Sequence, residues 1–424
     1  MERKIINFLK KWKTDLVRKP LLIYGPKQIG KTYTILEFGE KEYKNTIYFN
    51  TDNNEQLIDL FKKEKSPDRI IMNLSLIAGQ TILEEDTLIV LDNVNENEIV
   101  KGIKLFNSKQ KYHIIIISSR RENLSIFKGE ELQFKGMYGL DFEEYLWARG
   151  EEDLARLIRE SFEKRKTCPF HKMALDRFQE YILTGSLPEI IEENIKGKSE
   201  NYMDARKQKI LDTYKKELAN NKNLIDIERS LAVLNSIPNQ LKKDNKKFQY
   251  GLLGFGRRAK EYANAIESLV NNQLVYRSYK IKEIKSPLSS CREKDSFKLY
   301  MNDEGILYSM LHLTKRDLLT NEKLKETLYE NHIAKTLAEG GYPLYYYQSE
   351  GKAEVNFVIQ NRMGKIIPIE LTTISNSKAK SLSVFMKKFT CLEAYRITEN
   401  NFCTKKEIRY IPVYAIFCLN DKKI

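Results

Sequence analysis

Residues 25–32 read "GPKQIGKT", and no other stretch limits the fold of this 424-residue chain so tightly. The pattern Gly-x-x-x-x-Gly-Lys-Thr follows the apolar run "PLLIY" and precedes the helix-like "KTYTILEF". Glycines at 25 and 30 keep Cβ atoms out of the way, so N–H groups at a helix N-terminus can converge on a phosphate. Lys31 can then reach the β- and γ-oxygens, and the Thr32 hydroxyl can ligate Mg2+. A loop of this kind needs a strand before it and a helix after it, which points to a parallel α/β sheet. The spacing predicts a nucleotide-binding segment made of Gly25, Pro26, Lys27, Gln28, Ile29, Gly30, Lys31, Thr32 and Tyr33.

The surrounding pattern agrees. "PLLIYG", "NTIYFNTD", "DTLIVLDNV" and "YHIIIISSR" are near-continuous apolar runs, as buried parallel strands are, and helix-like segments separate them. The class is therefore α/β, beginning with a P-loop NTPase domain over residues 1–160. Long charged helices follow, read as a helical lid or linker over 161–225. A helical stretch and two β-rich stretches, including "SFKLYMN", read as a winged-helix-like domain over 226–315. The remainder, 316–424, returns to strands in "PLYYYQSE", "AEVNFVIQ", "KIIPIELTT" and "YIPVYAIFCL".

Asp92 ends the run "LIVLD", where a second Mg2+-shell carboxylate belongs, although a lone Asp at a strand end also serves as a turn residue. Asn93 follows it. A carboxylate there would accept a proton from an attacking water, and an amide cannot; losing a general base costs roughly 10²–10⁴ in rate. Glu96 and Glu98 are nearby substitutes. Ser119, with Ser118, follows the run "IIII" and can serve either as a polar γ-phosphate sensor or as a helix cap. Asp92 and Ser119 are the catalytic candidates, and Thr32 and Asp92 the candidate metal ligands.

Composition excludes some classes. No apolar run, that around 114–117 included, approaches the ~18 residues that cross a bilayer, so no membrane partner is expected. The N-terminal "MERKIINFLKKWKTDLVRK" is charged throughout and unlike a secretory signal; Ile5, Phe8, Trp12 and Leu16 predict one face of an amphipathic helix. Five scattered cysteines make no disulfide framework, which fits a cytoplasmic protein. Cys168 and His171 are close together but lack a second pair for zinc. Residues 196–298 hold 23 Lys and Arg against 12 Asp and Glu, a net +11 of the chain's +14. This is either an electrostatic footprint for DNA or a solvated surface in a lysine-rich chain. Arg257, Arg258 and Lys260 are the candidate contacts.

Taken together, these stretches resemble the prokaryotic AAA-type ATPases that carry a C-terminal domain of unknown function with a restriction-endonuclease-like fold. The resemblance runs through "RKPLLIYGPKQIGKTYTILEF", "IIIISSRREN", "GMYGLDFEEYL", "YILTGSLPEII", "KLYMNDEGIL", "LYENHIAKTL", "AEVNFVI" and "IIPIELTT". It implies ATP as the nucleotide, with Mg2+ as cofactor and a restriction-endonuclease-like α/β domain over 316–424. By the same resemblance Glu330, Glu354, Asn356, Glu370 and Thr372 stand at a nuclease-like site. Four positions depart from the family: Asn93 replaces Glu, Met137 replaces Arg, Asn356 replaces Asp and Thr372 replaces Lys. Each removes a charge, so the nuclease-like domain is expected to be inactive, its glutamates either weak metal ligands or ordinary surface residues. Two functions follow from these readings. One is an ATPase or nucleotide switch; the other is a DNA- or protein-binding module in which ATP is structural. Expected partners are ATP and duplex DNA, with a second copy of the chain as a further candidate.

Overall fold

The apolar runs become strands because a parallel sheet buries both of its faces. The computed structural model describes residues 1–424 apart from 53, 95–96, 109–110, 120–131, 220–222, 350–353, 362, 374–378 and 421–424, and only the backbone of 97, 107–108, 319 and 379–380. The chain divides into two units, Met1–Gly139 with Asn271–Gln273, and Leu140–Val270 with Leu274–Ile424.

The first unit is built on β1 (Leu21–Tyr24), β2 (Asn45–Asn50), β3 (Thr87–Asp92), β4 (His113–Ser118) and β5 (Gln133–Gly136), all parallel, in the order β2-β3-β4-β1-β5. Every residue of β3 and β4 is buried, which accounts for their unbroken apolar sequence. β5, "QFKG", is short, polar and at the edge, and so left no apolar signal. The N-terminal helix Lys4–Lys13 buries Ile5, Leu9 and Trp12. Phe8 is only half-buried, and Leu16 lies beyond the helix and is 90% exposed. The expected face is thus corrected: the helix stops at Thr14, whose hydroxyl bonds back to Lys10 and Lys11 carbonyls.

The second unit opens with helices, from Phe142–Ala148 to Leu224–Leu241, and carries a mixed eight-stranded sheet. Its strands are β6 (Val275–Ile281), β7 (Arg292–Met301), β8 (Tyr345–Gln348), β9 (Glu354–Gln360), β10 (Ile366–Thr372), β11 (Ala394–Thr398), β12 (Cys403–Lys405) and β13 (Ile408–Pro412). The spatial order is β12-β13-β11-β10-β9-β8-β6-β7. The hairpin β6–β7, expected as the wing of a module ending at 315, is therefore the edge of the same sheet as the C-terminal strands. Parallel pairing of Tyr279, Lys280 and Ile281 with Tyr345, Tyr346 and Tyr347 makes the join. The run "VYAIFCL" is a buried 3-10 stretch, Val413–Asn420, instead of a strand. A short run buried on all sides has no periodicity to separate the two.

Candidate functional site

Between β1 and the helix Lys31–Glu42 the backbone takes conformations that few residues tolerate. Gly30 caps the helix at φ 81° and ψ 23°, in the left-handed region open to glycine. At Gly25 space decides: a Cβ there would lie 1.8 Å from the carbonyl oxygen of Met137. The Gly25 N–H donates to Ser118 O at 3.3 Å, and the Met137 N–H to Tyr24 O at 2.8 Å, so the loop entry is clamped between β4 and the end of β5. Gly30 brings no side-chain acceptor to the helix N-terminus, and the first turn holds no acid. The end of this helix accordingly suits an anion.

Lys31 is buried, and its Nζ donates to the carbonyls of Gly25 at 2.9 Å and Pro26 at 2.6 Å. Ile29 is also buried, and its carbonyl accepts from Arg3 Nη1 at 3.1 Å; Arg3 Nη2 donates to Tyr138 O at 2.6 Å. Arg3 thus braces the loop from behind, a role invisible in a run of N-terminal charges. Tyr33, in the first helical turn, is 67% exposed.

The structure brings Thr32 and Asp92 together: Thr32 Oγ1 donates to Asp92 Oδ2 at 2.6 Å. Tyr48 on β2 donates to the same oxygen at 3.2 Å. Burial and the neighbouring Asp92 carboxylate push the Tyr48 phenol up to about 12, which keeps it a donor at neutral pH. Sequence reasoning missed Tyr48, which lies inside a run read only as a buried strand. Asn93 has φ 60°, donates its N–H to Asp92 Oδ1 at 2.8 Å and its Nδ2 to Asn50 Oδ1 at 3.2 Å. Ser118 is buried at the end of β4, and Ser119 follows it half-buried. Because β4 lies between β1 and β3, both serines stand between the phosphate loop's strand and the Asp92 strand. Glu98 lies in the helix Asn97–Lys104, whereas Glu96 is outside the described residues.

An ammonium, a hydroxyl, a carboxylate and an uncapped helix N-terminus share this end of the sheet, where ligands of open α/β sheets bind. The set fits a nucleotide phosphate with a hard divalent cation. Residues 17–146 match the AAA domain family. The chain carries an AAA-type P-loop ATPase domain. Nucleotide binding and ATPase-type function belong to this AAA domain by its family. Beyond the AAA domain, residues 175–317 and 325–416 match two domains of unknown function, DUF8612 and DUF4143. Among solved structures the chain is similar to the Walker-type ATPase PABY2304 of Pyrococcus abyssi, at 13% identity and TM-score 0.44, covering 73% of this chain and 95% of that one. It is also similar to the Hef helicase domain of Pyrococcus furiosus, at 14% identity and TM-score 0.18, covering 94% and 89%. No curated protein matches the chain.

In the second unit the nuclease-like positions fall into two sets. Glu330 accepts from Lys246 at 2.6 Å, Lys298 at 3.2 Å, Tyr300 Oη at 2.6 Å and Asn356 Nδ2 at 3.0 Å. Lys298 also donates to Glu354 at 2.5 Å. The Asn356 side-chain oxygen accepts the Leu371 N–H at 3.0 Å. Glu370 turns to the next strand, where Arg396 donates to its Oε2 through Nε at 3.0 Å and Nη2 at 2.8 Å. Thr372, half-buried at the end of β10, adds no charge. Glu330 and Glu370 are 1% and 0% exposed, so the reading of them as surface glutamates is corrected. Among the described residues, no group of three or more His, Cys, Asp or Glu is arranged to hold a metal ion. The lysine that reaches Glu330 and Glu354 comes from β7, as Lys298.

Arg257, Arg258 and Lys260 are all exposed. The following helix starts at Ala259, so the two arginines belong to the loop before it and Lys260 to its first turn. The neighbouring family-like stretches do structural work. Asp303 caps the helix Glu304–Met310 and accepts the Ser186 N–H and hydroxyl at 2.6 and 2.7 Å. Gly185, at φ 88°, leaves room for it, since a Cβ there would lie 2.5 Å from Asp303 Oδ1.

Proposed function

We propose that the AAA domain binds ATP with Mg2+, hydrolyses it weakly or only under some conditions, and acts as a nucleotide-dependent switch associated with DNA. The observation that carries the ATP reading is the Thr32–Asp92 hydrogen bond beside a buried Lys31. Lys31 would leave the Gly25 and Pro26 carbonyls for the β- and γ-phosphate oxygens, exchanging neutral acceptors for charged ones. Thr32 and Asp92 would hold Mg2+, which when bound neutralises charge on those phosphates. Ser119 would face the γ-phosphate as a polar sensor. No carboxylate stands at 93 to take the water's proton, and the Asn93 amide is engaged with Asn50. Slow turnover follows.

Gln273 supports the switch reading. Residues 271–273 belong to the first unit, although the chain on either side belongs to the second, and the Gln273 amide donates to Ser119 O at 3.3 Å. A change at the sensor position would be felt by the backbone that leads into β6. Exposed Arg257, Arg258 and Lys260 support DNA association through phosphates, with affinity falling steeply as salt rises. Asn93 equally favours the second reading, a binding module in which ATP is structural.

Steady-state phosphate release, with and without duplex DNA, separates the two readings. Slow release that disappears in Lys31→Ala supports the switch. Release no greater than in Lys31→Ala under either condition leaves only the binding module.

A further inference from the structure

Phe255 is the most exposed large apolar side chain among the described residues, at 107% of its reference area. It sits at the tip of "GLLGFGRRAK" between Gly254 at φ 134° and Gly256 at φ 73°, two conformations that an L side chain rarely adopts. The tip is thus held outward by a backbone shape that depends on both glycines.

The base of this loop is firmly tied. Gln249 donates its N–H to Gln240 Oε1 at 3.0 Å, and Gln240 Nε2 returns a bond to Gln249 O at 2.9 Å. The Phe248 N–H donates to Phe297 O at 2.8 Å, and the two rings stack with centroids 5.5 Å apart. Tyr250 leans on Tyr262 of the following helix at 6.4 Å. A phenylalanine held out on a well-anchored loop, with nothing covering it, presents its ring face to a planar partner.

The chemistry beside it narrows the choice. Arg257, Arg258 and Lys260 follow directly, and among the described residues no carboxylate pairs with any of them. Elsewhere, exposed Lys41, Lys63, Lys164 and Lys196 each have an acid one helical turn away. A protein partner would bury a cluster of several apolar side chains. Here Leu252, 38% exposed, is the only other exposed large apolar side chain described in the loop, and glycines and an arginine flank the ring in sequence.

We propose that Phe255 stacks on an unpaired base of a nucleic-acid strand whose phosphates lie along Arg257, Arg258 and Lys260. This rests on the DNA-association reading and adds that the bound strand must offer a base outside a duplex stack. Every base has a face for the ring, so the contact carries no sequence preference, while arginines serve both phosphate and base plane.

The test is fluorescence anisotropy with a single strand of about 10 nucleotides, one carrying a fluorescent adenine analogue, and with the matching duplex. Phe255→Ala, fully exposed and free of folding consequences, is expected to weaken single-strand binding roughly tenfold and to abolish quenching of the analogue. Phe255→Trp should restore both, and duplex affinity should change far less. If Phe255→Ala binds the single strand as wild type does while Arg257→Glu/Arg258→Glu/Lys260→Glu loses it, the stacking inference is overturned and DNA association stands. If the triple reversal binds as wild type does, both are overturned. Sedimentation with phosphatidylserine vesicles that needs Phe255, with oligonucleotide binding indifferent to it, would assign the loop to a membrane surface and overturn the proposal too.

Discussion

Asn93 shows why one residue can set the tempo of a site. Its φ of 60° lies in the left-handed region, where asparagine is tolerated and glutamate is strained. Its amide also donates to Asn50 Oδ1, a bond that a carboxylate cannot make. Asn93→Glu restores a proton acceptor but sets it against an acceptor on Asn50. Phosphate release is therefore expected to rise further in Asn93→Glu/Asn50→Ala than in Asn93→Glu alone. Equal release in the two variants would mean that the Asn50 contact does not limit the reaction. Arg3 makes a second case. Arg3→Ala removes two hydrogen bonds that brace the Ile29 and Tyr138 carbonyls. Charge-assisted bonds of this kind contribute about 1.5–3 kcal/mol each, though part would be recovered by water, so ATP affinity measured by calorimetry should fall several-fold with Lys31 intact. An unchanged affinity would show that the loop holds its shape without the brace. At this scale the sequence pointed to residues that a local motif marks, Lys31 and Thr32 in the glycine-rich loop and Asp92 at the end of an apolar run. Arg3, Tyr48 and Lys298 act across 26 to 135 residues of chain, and no motif marks them.

Elements show the same division. Four strands of the first sheet were readable as apolar runs, most clearly β1, β3 and β4, whose residues are nearly all buried, and the short polar edge strand β5 was not. The hairpin β6–β7 was found, but its partner β8 lies beyond a helix, and pairing between distant strands has no local signature. The helix Glu322–Glu339 carries charges that look solvated in sequence yet are buried: Glu304 accepts from His332 at 2.5 Å and from Lys335 at 2.9 Å. Burial alone would raise the Glu304 carboxyl, but Lys335 and His332 outweigh it and hold it at about 2, against an ordinary value of 4.5. A depressed carboxylate stabilises the fold above its unfolded value and loses that contribution as pH falls through its folded value. Wild type should therefore lose on the order of 3 kcal/mol more than Glu304→Gln between pH 5 and about 2 in urea unfolding. Parallel pH curves for the two would remove Glu304 from the account. Lys335→Ala, which strands the buried carboxylate, should cost about 3–5 kcal/mol at neutral pH.

For the whole molecule, the nuclease-like positions and the AAA domain make opposite statements about charge. In the AAA domain a cation and a carboxylate are kept apart by a hydroxyl and loop carbonyls, ready for a ligand. In the C-terminal sheet Glu330, Glu354 and Glu370 are already neutralised by Lys246, Lys298 and Arg396. A hard cation would have to displace buried ion pairs there, and leaving those cations unpaired costs several kcal/mol. No duplex cleavage is expected with Mg2+ or Mn2+ in a plasmid-nicking assay, and cleavage that disappears in Glu370→Ala would contradict this. The most direct measurement is calorimetric titration of ATP with Mg2+ into wild type and Lys31→Ala. Saturable binding to wild type that weakens at least tenfold in Lys31→Ala is the expected result, and equal binding by both proteins would contradict the phosphate-loop site itself.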